Sequence, residues 1–343
     1  MDPTTLLVIL IVIVALGFDF VNGFHDAANS IATVVATRVL TPTQAVIWAA
    51  AFNFIAVFTV GTGVANTVGS GMIDLRYVTP YVILAGLIGA IAWDLLTWWF
   101  GLPTSSSHAL LGGYAGAAMA RMTHLKTIDR SFDVLIAGPW IRTIVFIVIA
   151  PLLGMALSYL MMIAVYWLFR NTRPDRMDRH FRKAQLASSA LLSFSHGAND
   201  AQKTAGIITG VLVTSGFLPK FQVPYWVLVA SYLTISLGTL SGGWRIVRTM
   251  GSRLTRLKPR SGFCAETSAA LSILFATTYL KLPVSTTHVT AGAIAGVGAI
   301  QRIKAVRWGV ATNILWAWVL TIPASAVIGW LSMDLLQSFP AAR

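Results

Sequence analysis

LPTSSSHALLGGYAG at 102–116 and LPVSTTHVTAGAIAG at 282–296 decide how this chain folds, because one pattern recurs 180 positions apart in a sequence of 343 residues. Each copy joins a proline to three hydroxyls, Ser105, Ser106 and Ser107 or Ser285, Thr286 and Thr287, then to a histidine, His108 or His288. Proline disfavours helix at the residue before it and suits the first turn of a new helix, where hydroxyl residues cap. Each copy therefore reads as a break in the chain followed by a helix N-terminus. The spacings Gly112-xxx-Gly116 and Gly292-xxx-Gly296 let another helix approach closely behind it.

A second pair of strings keeps the same order. FVNGFHDAANS (20–30) aligns with FSHGANDAQKT (194–204) at an offset of 174. The chain thus divides into a first repeat, 1–169, a basic linker, 170–183, and a second repeat, 184–343. The two offsets differ by six, so the second half needs extra residues. The basic stretch 245–260, opposite 71–77, is the expected place.

The composition names the solvent. Apolar residues make up 56% of the chain and charged residues 11%, against about one-quarter charged in a soluble domain. A hydrocarbon core of about 30 Å takes roughly 20 apolar residues per helix. Such blocks run near 4–36, 43–69, 78–100, 104–120, 133–169, 184–214, 224–245, 263–280, 284–300 and 305–335. The expected fold is an all-α polytopic membrane protein of two inverted-topology repeats. It has ten to twelve transmembrane segments, two of them broken or re-entrant hairpins. Inversion follows from five crossings per half.

The first block lacks a basic flank and runs straight into Asp19, Asn22, His25 and Asp26, so it reads as mature helix and not as a signal segment. Cys264 is the only cysteine, which excludes a disulfide or a cysteine metal cluster. A net charge of +13 would suggest nucleic acid in a soluble protein. Here the basic residues cluster in short connections, so no nucleic-acid partner is expected. Arg170, Arg173, Arg176, Arg179, Arg182 and Lys183 fill one connection, and Arg245, Arg248, Arg253, Arg256, Lys258 and Arg260 another. By the positive-inside rule both are cytoplasmic, as are Arg302, Lys304 and Arg307. Both termini, and the mixed connection 121–132, then lie outside.

A helix N-terminus buried in lipid leaves N–H groups and partial positive charge without partners, and an oxyanion satisfies both. Two such termini from inverted halves can converge on one anion near the midplane. The plainer alternative has the hydroxyls bonding carbonyls within their own helices. His108 and His288 either contact the anion or shape the hairpins.

Asp26 and Asp200 lie inside apolar blocks, where a carboxylate costs about 2.5 kcal/mol or more at the bilayer centre. Asn22, His25 and Asn29 surround Asp26 at helical spacing, and His196, Asn199 and Lys203 surround Asp200. The pattern reads as a cation site, with a purely structural polar network as the alternative. Carboxylates repel a nearby oxyanion unless a proton or metal cation neutralises them, and that need couples the two ligands. Sodium is placed at Asp26, Asn29 and Asp200. Lys203 breaks the symmetry by standing where the first half has Asn29. Glu266 joins the cation-coupling set and Asn53 is a supporting position, whereas Asp19 and Asp94 stand between structural and functional roles.

NGFHDAANSIATV, SHGANDAQKTAG, LPTSSSH and LPVSTTH together resemble the inorganic phosphate transporter (PiT) family along essentially the whole chain. The resemblance implies electrochemically driven phosphate uptake by an inverted-repeat protein of the cell (plasma or inner) membrane, without a cofactor; the sequence does not fix the oligomeric state, and a homodimer is compatible with the family. GFHDAAN and GANDAQK look like the bacterial low-affinity branch, which implies proton coupling and carriage of neutral metal–phosphate complexes. Lys203 departs from the asparagine of the family's Gly-Ala-Asn-Asp-Val-Ala-Asn and argues against a symmetric sodium pair.

The expectation is a symporter of inorganic phosphate with a monovalent cation, H+ ahead of Na+. Ser105, Ser106, Ser107, Ser285, Thr286 and Thr287 hold phosphate. Asp26, Asn29, Asn199, Asp200, Lys203 and Glu266 couple the cation, with Asn22, Asn53, His108 and His288 in support. A sulfate permease of the same family is the near alternative, and a passive anion channel a further one. An enzyme acting on a phospholipid is disfavoured, since one asymmetric nucleophile does not need duplication and no P-loop is present.

Overall fold

A computed structural model describes residues 2–300 and 305–338; Arg302 and Lys304 lie outside the described residues. Among those described, the chain is helical apart from one antiparallel bridge between Ile73 and Leu135. The first half runs through α1 (Pro3–Ala36), α2 (Pro42–Ile55), the short α3 (Gly63–Asn66), α4 (Pro80–Phe100), α5 (Ser106–Leu125) and α6 (Ala137–Leu168). The second repeats the series as α7 (Pro174–Thr214), α8 (Tyr225–Ser241), α9 (Trp244–Arg248), α10 (Pro259–Phe275), α11 (Thr286–Ala299) and α12 (Trp308–Gln337).

Five helices, α1, α4, α6, α10 with its last turns, and α12, are each long and apolar enough to cross a bilayer. Two more spans are bent: α2 turns by 81° into α3 and a π-helical turn, and α8 turns by 62° into α9 and another. α5, α7 and α11 carry three of the polar strings, and α1 carries the fourth. The chain is a multi-pass membrane protein.

The halves pack reciprocally. α6 lies on α11 as α12 lies on α5, α8 lies on α1 as α2 lies on α7, and α1 and α7 lie on each other. Such exchange of partners is what a two-fold relation produces. The equivalent helices α1 and α7 run antiparallel: Thr37 near the end of α1 donates to Gln185 near the start of α7 at 2.9 Å, while Asp19 lies beside Thr204. The two-fold axis therefore lies across the helices, and the repeats are inverted.

Two boundaries differ from the sequence expectation. The basic stretch 170–183 is not a loose linker, since α7 already begins at Pro174 and continues to Thr214. At 1.5 Å per residue it is about 60 Å long, twice the hydrocarbon thickness, so its charged first turns extend beyond the lipid. The extra residues of the second half are not in 245–260 either. The matching π-helical turns Thr67–Gly71 and Thr249–Arg253 already stand 182 apart, so the insertion precedes them, in the longer connection between α7 and α8. Much of 245–260 is helical, because α9 and its π-helical turn mirror α3.

The glycines expected to admit close packing do so. A Cβ on Gly112 or Gly116 would strike Ile322 O at 2.6 Å or Ala326 O at 2.0 Å of α12. One on Gly292 or Gly296 would strike Pro151 O at 2.1 Å or Met155 O at 2.3 Å of α6. Each polar hairpin is thus clamped by the backbone of the other half's last helix, with Ser325 Oγ at Gly112 and Ser158 Oγ at Gly296 in the same contact. The first arms of both hairpins end on a left-handed residue, Gly101 (φ 66°) and Lys281 (φ 53°). A non-glycine there costs on the order of 1 kcal/mol, and the carbonyl of Lys281 is fixed by Thr67 Oγ1 at 2.8 Å.

Gly292→Val should lower stability by about 1–3 kcal/mol through overpacking, read as a lower Tm in detergent. Gly17→Ala, where a Cβ meets nothing within 4 Å, should leave Tm unchanged or raised; equal behaviour of the two variants would contradict the clamp.

Candidate functional site

The polar strings meet at the centre of the molecule. α1 supplies Asp26 and Asn29, α7 supplies Asp200 and Lys203, and the first turns of α5 and α11 supply the hydroxyls. None of these side chains is more than 3% exposed, so the site is closed to both sides. Because α1 and α7 cross antiparallel, their matching aspartates come together: ligand atoms of Asp26, Asp200 and His196 lie within 4.8 Å of one another. Two like charges at that distance repel by about 3.5 kcal/mol at an effective dielectric constant near 20.

The contacts repeat across the two-fold. Ser106 Oγ donates to Asp26 Oδ1 at 3.4 Å, and its counterpart Thr286 Oγ1 donates to Asp200 Oδ2 at 3.4 Å. Both bonds are long, so the hydroxyls are only weakly committed. Asn29 Nδ2 donates to Thr287 Oγ1 at 2.9 Å and to Thr286 Oγ1 at 3.1 Å. In the mirrored position the Lys203 ammonium donates to Ser107 Oγ. It also reaches Asp200 Oδ1 at 2.5 Å and Val284 O at 2.9 Å. Each half thus grips the other half's hairpin, one with an amide and one with a charge.

Ser105 and Ser285 take a different place from the other four hydroxyls. They cap α5 and α11, accepting the amides of His108 and His288 at 3.3 and 3.2 Å. The caps leave the first amides of both helices and the hydroxyls of Ser106, Ser107, Thr286 and Thr287 as donors. Lys203 adds a positive charge between them. An oxyanion suits this set of donors. A cation suits the opposite group: the carboxylates of Asp26 and Asp200, and Asn29 Oδ1, which receives no hydrogen bond. A sodium ion prefers such oxygens to the imidazole of His196.

Other expected residues lie further out. Glu266 is buried but forms its own cluster, accepting from Thr33 Oγ1 at 2.6 Å, Gln185 Nε2 at 2.8 Å and Ser188 Oγ. Thr33 is two helical turns past Asp26, so Glu266 ties α1, α7 and α10 together away from the paired acids. Asn199 Nδ2 donates to Thr277 Oγ1 at 2.7 Å and so steadies the arm that leads into the second hairpin. Asn53 donates to Thr239 at 2.9 Å and faces His196 Nδ1 at 3.3 Å. His196 in turn stands 3.2 Å from Asp200 Oδ2. Asn22 is buried one turn from Asp26, and its Oδ1 receives no hydrogen bond. His108 and His288 meet edge to face at 4.8 Å, and His288 stacks on Trp318 at 3.8 Å, so they join the hairpins to each other and to α12.

Two histidines matter more than the sequence suggested. His25 Nδ1 lies 2.7 Å from Asp26 Oδ1, with Nε2 held near Thr97 at 3.1 Å and Thr104 at 3.3 Å. It does for Asp26 what His196 does for Asp200. Their place beside each aspartate was visible in the strings, but only the packing of α4 and α2 shows what orients them. Asp94 also belongs here, buried beside His25, Asp26 and Ser106.

Known proteins are similar to this chain in sequence and in fold. The family model described as "Phosphate transporter family" (PHO4) matches twice, over residues 22–177 and 169–329, once for each half. A "Probable low-affinity inorganic phosphate transporter" of Rhizobium meliloti (strain 1021) is 52% identical, over 96% of this chain and 97% of its own. One of the same description from Bacillus subtilis (strain 168) is 41% identical over 98% and 99%. A solved structure described as "The sodium-dependent phosphate transporter" superposes with a TM-score of 0.87 at 25% identity, covering 97% of this chain and 99% of that one. Matched over both halves by the family model and along nearly its whole length by these relatives, the chain belongs to the PHO4 phosphate transporter family.

Proposed function

We propose that this chain is a secondary active symporter that takes inorganic phosphate across the cell membrane together with a proton, by alternating access. The observation that carries the reading is the ammonium of Lys203, bonded at once to Asp200, Ser107 and Val284 O at the position mirrored by Asn29. One of the two paired acids is thereby neutralised by a tethered cation. The other, Asp26, has His25 as its nearest partner. When phosphate sits among Ser106, Ser107, Thr286, Thr287 and the first amides of α5 and α11, its negative charge lies beside Asp26. That charge is tolerable only if a proton, or in a second reading a sodium ion at Asp26 and Asn29, arrives with it.

Phosphate and cation then favour one another's binding, and the fully loaded carrier is the state that exchanges sides. Reciprocal packing of inverted halves supports that exchange, since two related arrangements of one interface can open to opposite faces. The basic ends of α7 and α10, joined where Arg260 Nη1 meets Asp178 Oδ1 at 2.9 Å, support a cytoplasmic placement of that face and extracytoplasmic termini. Sulfate shares phosphate's shape and remains the second reading of the substrate. A neutral metal–phosphate complex is a third.

Counterflow of labelled phosphate in proteoliposomes is the test. Exchange should persist under excess sulfate and should accumulate phosphate when an inward proton gradient is imposed; accumulation that follows sodium and ignores pH would reassign the cation. Asp200→Asn should abolish gradient-driven uptake while the protein stays in the membrane, and normal accumulation by it would remove Asp200 from the mechanism. Lys203→Asn leaves a buried carboxylate without its partner, a loss of about 3–5 kcal/mol if nothing replaces it. Proton-driven uptake by that variant should fall at least about tenfold and recover in part with sodium; full uptake with no response to sodium would contradict the tethered-cation role.

A further inference from the structure

Of the buried acids that the mechanism above does not use, Asp19 stands apart from both the central site and the Glu266 cluster. Asp19 is fully buried in α1, and neither carboxylate oxygen receives a hydrogen bond. Its polar neighbour on α7 is Thr204, and Tyr232 on α8, also buried, is near enough for their charges to interact. Lipid cannot reach this junction. A Cβ on Gly23 would strike Ile235 O at 2.1 Å and one on Gly238 would strike Phe20 O at 2.2 Å, so the α1 and α8 backbones touch in the turn that follows Asp19.

The charged and titratable groups that face Asp19 are Asp200 and Lys203 on α7 and Tyr232 on α8. Lys203 offers it no hydrogen bond. An ammonium has three N–H donors, and Asp200, Ser107 and Val284 O take all of them. Asp200 adds repulsion. The matching position in the second half is Ser193, which bonds to Ser189 O at 2.8 Å, so the feature belongs to one half alone.

We propose that Asp19 is a proton-binding site, distinct from the paired acids and one step from them along α1. A metal ion is a poor occupant, since hard cations take about six oxygens and one carboxylate with two hydroxyls falls short of that. A proton needs one carboxyl oxygen and an acceptor, and the neighbouring Thr204 hydroxyl can accept from the acid or donate to the carboxylate. Seven residues of helix place Asp19 about 10 Å from Asp26 toward the N-terminus of α1. In the orientation proposed above, that is the outer approach to the central site. The assignment rests on the symport reading, and it makes Asp19 the outer stop of the coupling proton.

The test separates exchange from accumulation in proteoliposomes with labelled phosphate. Asp19→Asn, which keeps the shape of the protonated acid, should retain counterflow within about threefold of wild type while pH-gradient-driven accumulation falls at least about tenfold. Accumulation close to wild type, or its rescue by an inward sodium gradient, would overturn the site. If the variant loses counterflow as well, Tyr232→Phe decides. With counterflow intact, a change of about half a unit or more in the pH of half-maximal accumulation supports the site, and an unchanged profile overturns it. A wild-type protein without phosphate counterflow would remove the symport reading itself, and the site with it.

Discussion

Two carboxylates held within 4.8 Å of each other in a closed, lipid-embedded centre set the terms for everything around them. Neither charge can be left bare there, and the protein answers with unequal devices. Lys203 brings its ammonium to Asp200, while Asp26 is approached by an imidazole and by hydroxyls at 3.4 Å. The centre is therefore symmetric in backbone and asymmetric in charge. That asymmetry lets one acid stay neutralised while the other responds to what is carried.

The backbone symmetry has its own cause. Glycines at matched places let the two polar hairpins press against the backbone and a serine hydroxyl of the last helices of opposite halves. Contacts of that kind transmit displacement rather than absorb it, because close-packed interiors shift between discrete arrangements. A charge change at the acids is thus felt at the hairpin tips, which carry the hydroxyl donors, and at α6 and α12, which clamp them.

Much of this was legible in the sequence, because duplication marks function twice. The Pro-Ser/Thr strings and the two aspartates were found by self-comparison, and their convergence follows from inversion. The location of the insertion was missed, since the bent α9 reads as a basic loop and its likeness to α3 is one of backbone shape, not of residue type. Glu266 was drawn into the site because a buried acid near the second hairpin looks central. Only the packing of Thr33, Gln185 and Ser188 around it shows a separate cluster. The part played by His25 and His196 was hidden for the same reason, as their partners Thr97 and Asn53, on α4 and α2, and Thr104, in the break before α5, lie far away in the chain. Local strings reveal what a helix offers, and tertiary contacts decide what it is offered to.

The central claim is that opposed helix starts and a tethered ammonium receive one oxyanion. Anomalous diffraction from protein crystallised with arsenate, which has the shape and charge of phosphate, tests it most directly. The account predicts a single arsenic peak between the first turns of α5 and α11, within hydrogen-bonding reach of Ser106, Ser107, Thr286, Thr287 and Lys203. A peak against the outer surfaces of the hairpins, or separate peaks at each helix start with none between them, would contradict it.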